Sequence, residues 1–127
     1  MNINYENIEK VKEKMRKFEK QFDKEEIDSI KDFFEISDKD KKWIKEEIKK
    51  NCHKYVGKNI AVFDRKILGI SENFSELFTK LREIENFDVF YVLIVKVYNN
   101  EEEWKEEEEK LGVSIHGITL EELDLKN

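Results

Sequence analysis

Along the first part of the chain apolar residues recur every three or four positions. Ile8, Val11, Met15, Phe18 and Phe22 form a heptad-like stripe with Lys and Glu between them, which predicts an amphipathic helix from about Asn4 to Phe22. Such a stripe serves either a domain core or a coiled-coil seam, and in the second case Ile8, Val11, Met15, Phe18 and Phe22 would join two copies as a homodimer. Ile27, Ile30, Phe33 and Phe34 mark a second helix. Ser37, with Asp40 three residues on, reads as the N-cap of a third helix through Lys50 that buries Trp43, Ile44, Ile48 and Cys52.

After His53 the pattern changes. Gly57 to Phe63 is rich in β-branched and aromatic residues and reads as a strand, Asp64-Arg65-Lys66 as a hairpin turn, and Ile67 to Ile70 as the partner strand. Asn73, with Glu76 three residues later, opens a helix whose apolar positions Phe74, Leu77, Phe78, Leu81 and Ile84 run down to Asn86. Asp88 to Tyr98 holds the run Val89-Phe90-Tyr91-Val92-Leu93-Ile94-Val95, which predicts a central strand buried on both faces for much of its length. The order strand, strand, helix, strand lets the last strand return beside the first, with Phe63, Leu77, Leu81, Val92 and Ile94 buried together.

The last segment is again helical in pattern. Asn100 is placed to cap a helix whose first turn carries Glu101 to Glu103 and whose end carries Lys110 and Gly112. Trp104 and Leu111, seven apart, give it a narrow apolar seam among glutamates. Val113, Ile115 and Ile118 then alternate loosely, and Thr119 with Glu122 forms a capping box opening a last turn with Leu120, Leu123 and Leu125. The fold class expected is α+β: a helical segment over 1–50, a β-β-α-β core unit over 51–98, and an acidic helical tail over 99–127 docked on the same domain.

Tyr55-Val56-Gly57-Lys58-Asn59-Ile60-Ala61-Val62-Phe63-Asp64, followed by Lys66-Ile67-Leu68-Gly69-Ile70, a helix and an apolar strand, resembles a small domain family of uncharacterised function in archaeal and bacterial proteins. The likeness extends from about Tyr55 to Tyr98. Asn59 stands where that family commonly has an aromatic residue, and the Pro that often follows its last strand is missing. The resemblance implies the hairpin-helix-strand unit and no activity.

Composition narrows the chemistry. With 127 residues and 39% hydrophobic content the chain can bury a core without staples. Its longest apolar run, Val89 to Val95, is far short of the roughly 20 residues of a membrane span. No secretory signal pattern opens the sequence, and Cys52, the single cysteine, cannot make an internal disulfide, so a cytoplasmic location is expected. Four scattered glycines form no phosphate-binding loop. Two histidines, His53 and His116, and one thiol make a metal site or a Cys-His nucleophile pair a poor expectation, and the many carboxylates read as solvated faces. No catalytic residue, cofactor or metal is expected.

Charge separates two functional expectations. The net charge is −6, but residues 99–127 hold three basic and ten acidic residues, a net of −7, so the excess lies wholly in the tail. One expectation is a non-enzymatic protein-interaction module, an acidic inhibitor, antitoxin-like or regulatory partner of another, basic protein. Its contact residues would be Trp104, Glu106, Glu107, Glu108, Glu109 and Leu111, with the alternative that Trp104 docks on the chain's own sheet. The other is a nucleic-acid-associated protein using Lys39, Lys41, Lys42, Lys45, Lys49, Lys50, Lys54 and Lys58, where the competing reading is a solvated helix face interleaved with Asp38, Asp40, Glu46 and Glu47.

Overall fold

The structure, a computed structural model, describes residues 2–24 and 26–125, with side chains described at 2–17 and 35–125. It is an α+β fold: β1 (Asn2–Ile3), α1 (Tyr5–Lys24), α2 (Glu26–Lys50), α3 (Cys52–Tyr55), β2 (Asn59–Phe63), β3 (Lys66–Ser71), α4 (Phe74–Arg82), β4 (Leu93–Tyr98), α5 (Glu101–Leu111) and β5 (Gly117–Thr119). The strands form one sheet in the order β1-β3-β2-β4-β5, antiparallel except for the parallel pair β4 and β5. Among the described residues no helix is long and apolar enough to cross a membrane.

The β2–β3 hairpin turns on Asp64 and Arg65, both at positive φ, 50° and 57°. A two-residue turn of this hand matches the strand twist, yet side-chain-bearing residues enter that region at a cost. Asp40 offsets it. Its carboxylate accepts the amide N–H groups of Asp64 at 3.0 Å and Arg65 at 2.6 Å, although it is itself buried in α2. Burial pushes its acid group above the usual carboxylate range, and the hydrogen bonds from Arg65 and Asp64 pull back part of that rise.

Alternation along β2 sends Ile60 and Val62 to one face and Ala61 and Phe63 to the other. All four are buried, because both faces are covered. On the first face α2 places Ile44 and Ile48 against Ile60, Val62, Leu93, Val95, Val97 and Ile118. On the second, Ile8, Val11 and Met15 of α1 and Leu77 and Leu81 of α4 pack with Ala61, Phe63 and Leu68. The helical pair α1–α2 therefore straddles the hairpin, one helix on each face, with Lys14 of α1 at 3.0 Å from the Asp64 carboxylate.

Several expectations need correction. Ser37 caps nothing: α2 runs unbroken through it, and Asp40 answers the hairpin turn instead of the start of a helix. The segment 1–50 is not purely helical, since Asn2 and Ile3 pair with Ile70 and Gly69 as an edge strand. Nor is 99–127 purely helical, because Gly117, Ile118 and Thr119 pair in parallel with Lys96, Val97 and Tyr98. The helix after Asn73 ends at Arg82, and Val89–Tyr91 forms a short 3-10 turn ahead of β4. Ile8, Val11 and Met15 are buried in the chain's own core, so these three offer no homodimer seam. Phe18, Phe22, Ile27, Ile30, Phe33 and Phe34 lie outside the residues with described side chains.

Candidate functional site

The tail helix α5 forms for local reasons. Asn100 accepts the Glu103 amide at 2.9 Å, three glutamates fill the positive first turn, and Gly112 closes the helix at φ 65°, donating to the Glu108 carbonyl. The face carrying Trp104, Glu107, Glu108 and Leu111 turns toward the sheet. Trp104 is half-buried, lies on Gly117, stacks at 6.2 Å on Tyr98 and donates from Nε1 to the Ile115 carbonyl at 3.0 Å. Glu107 holds Lys96 of β4 with both oxygens at 2.7 Å, and Glu108 accepts the Ile115 amide at 2.8 Å. The Tyr98 phenol is pushed up by burial and then by the charge of Glu107. After β5, Thr119 and Glu122 bond reciprocally at 2.7 and 3.0 Å, the capping box read from the sequence.

Of the tail residues singled out by sequence, Trp104, Glu107 and Glu108 are thus engaged by the chain itself, whereas Glu106, Glu109 and Leu111 are exposed. Leu111 has company that the sequence did not announce. Between α4 and the α5–β5 connection lies an apolar groove of about 630 Å³. Its floor is Val92 and Ile94, half-buried on the second face of the sheet, with the Asn59 amide at one end. One wall is Phe74 and Phe78, stacked at 5.9 Å; Phe90 stands beside it; the opposite wall is Leu111, Val113 and Ile115.

Exposure makes this groove unusual. Among the described residues five large apolar side chains are exposed, and four of them line it: Phe90 at 86%, Leu111 at 57%, Val113 at 55% and Phe74 at 51%. Scattered exposed apolar residues are ordinary, whereas four gathered round one concave surface are not. The expectation that Val92 and Ile94 are fully buried fails here, because the helical layer of this face stops between α4 and α5. A trace of the groove was present in the sequence. Phe74 and Phe78 lie on a second stripe beside Leu77 and Leu81, making α4 apolar over a wider arc than one core face requires.

The basic cluster is less concentrated than its sequence spacing suggests. Lys45 pairs with Glu122 at 3.4 Å, Lys49 with Glu46 at 3.3 Å and Lys50 with Glu47 at 3.6 Å, while Lys54 lies over the Tyr55 ring. Among the described residues no group of three or more His, Cys, Asp or Glu side chains is arranged to hold a metal ion. No family model, curated protein or solved structure matches the chain.

Proposed function

We propose that this chain is a non-enzymatic protein-interaction module, an acidic inhibitor or regulator that docks an apolar, basic-flanked segment of another protein in the groove between α4 and α5. The single observation that carries the reading is the gathering of Phe74, Phe90, Leu111 and Val113, exposed, around one concave surface. Charge argues for the chemistry of the partner: α5, which forms one side, carries seven glutamates against Lys105 and Lys110. Glutamates at the rim of an apolar contact speed encounter with basic partners and disfavour acidic ones. The contact residues are then Phe74, Phe90, Leu111 and Val113, with Glu107 at the groove and Glu106 and Glu109 on the solvent side of α5 adding to its negative field, while Trp104 holds α5 in place. Nucleic-acid binding through Lys39 to Lys58 is the weaker reading, since Lys45, Lys49 and Lys50 are each held by a carboxylate.

Selection from a random peptide library, with the Phe90→Asp/Val113→Asp variant as the counter-selection, tests this reading. Enrichment of peptides that combine Leu, Phe or Ile with Lys or Arg is expected. Enrichment of acidic peptides, or of none that distinguish the variant, would overturn it.

A further inference from the structure

Resting on that docking reading, we infer that the segment the groove accepts is an amphipathic α-helix, laid over β4 between α4 and α5 with its basic residues toward the glutamates of α5. The second face of the sheet is covered by α1 and α4 over β3 and β2, then opens over β4, and is covered again by α5 over β4 and β5. The opening leaves Val92 and Ile94 only half-buried. β4 lies inside the sheet, between β2 and β5, so its face is one that a completed layer would bury.

The backbone decides between a helix and a strand. An extended peptide docks well along a sheet edge, but the groove lies on the face of β4: Leu93 to Lys96 pair with β2 on one side, β5 pairs with Lys96 to Tyr98 on the other, and the 113–116 connection leading into β5 forms the groove's own wall. A strand laid on Val92, Ile94, Phe78 and Val113 would press its peptide groups onto apolar side chains, and burying an unpaired polar group is costly. A helix satisfies its own backbone and needs only an apolar stripe at intervals of three and four. The walls suit such a stripe, being aromatic on the α4 side and aliphatic on the other.

Charge then sets which helix. Glu106 and Glu109 are exposed on α5, Glu107 lines the groove while holding Lys96, and Glu72 and Asp88 are close in sequence to Phe74 and Phe90. The cations of these segments are Lys80 and Arg82 of α4, Lys96, which Glu107 holds, and Lys105 and Lys110 of α5, five against twelve carboxylates over residues 72–116. The surround is acidic, and an apolar helix flanked by Lys or Arg complements it.

Three labelled peptides of about 16 residues, long enough to form a helix on binding, test the inference. The first carries Leu at i, i+3, i+4 and i+7 among Lys and Ala; the second has the same composition with Leu alternating; the third repeats the first with Glu for Lys. Fluorescence anisotropy against the whole protein and against Phe90→Asp/Val113→Asp, with circular dichroism of the peptide, gives the readout. The first peptide is expected to bind at least about tenfold more tightly than either other, to gain helical signal, and to lose that binding in the variant. Equal or tighter binding of the alternating peptide, still lost in the variant, would overturn the helix and leave the docking reading standing. Equal binding of the Glu peptide would overturn the basic flank. Binding of all three that the variant does not change, or no binding at all, would overturn both proposals, as would light scattering that shows a dimer of the chain dissolved by the same variant.

Discussion

Trp104 lies so closely on Gly117 that a Cβ added there would stand 2.5 Å from the indole ring. This contact, together with the Nε1 hydrogen bond to Ile115, ties α5 and β5 into one piece and forms the far side of the groove. Of the two roles the sequence leaves open for Trp104, anchor for a partner or contact with the chain's own sheet, the second is the one seen.

Gly117→Ala should therefore cost about 1 to 3 kcal/mol through overpacking, and Trp104→Ala should remove most of that cost when the two are combined. Thermal or urea unfolding of the two single variants and the double variant checks it. Additive losses would show that the two residues do not share a contact.

Asp40 supplies a pH dependence whose sign follows from burial. Its folded acid group sits above the usual carboxylate value, so the folded chain binds that proton more tightly than the unfolded chain does. The contribution of Asp40 to stability is then largest below the unfolded pKa and declines as pH rises through the range just above it. The melting temperature of the wild type relative to Asp40→Asn should shift in favour of the wild type as pH falls from about 7 to about 4. The opposite trend would mean that the Asp64 and Arg65 amides outweigh burial and hold the carboxylate ionised.

Local signals were legible in the sequence and distant ones were not. Asn73 and Asn100 were readable as caps because each bonds an amide three residues on, at 3.1 and 2.9 Å. The hairpin turn and the Thr119–Glu122 box were readable for the same reason, while the return of β4 beside β2, across 31 to 37 residues, followed from the strand, strand, helix, strand order. Ser37 misled because a buried Asp40 three residues later imitates a capping box, while its partners are 24 and 25 residues away. The two short edge strands escaped notice because two or three residues make no period. The groove was hidden more deeply. Whether Val92, Ile94 and Phe90 are covered depends on where α4 and α5 come to rest, and no window of sequence contains that distance.

The core itself gives a direct check on register. Leu81 is fully buried with Phe63 and Leu77, so Leu81→Ala should lower stability by about 2 to 5 kcal/mol. A melting temperature equal to that of the wild type would contradict the packing of α4 described here.

Phe90 and Val113 should behave in the opposite way. Both are exposed, and replacing either with Asp should change stability by no more than about 0.5 kcal/mol while reducing the binding of a hydrophobic dye such as ANS. A large loss of stability would mean that these side chains serve the fold, and would remove the reason to look for a partner there.

Whether the groove over β4 receives a partner can be seen by amide chemical-shift mapping. The 15N-labelled chain is titrated with the Lys-flanked helical peptide until the shifts saturate. The shifts are expected to gather on Phe74 to Phe78, Val89 to Ile94 and Leu111 to His116, the segments that line the groove. Saturable shifts centred instead on Lys39 to Lys50 of α2, on the opposite face of the sheet, would contradict it.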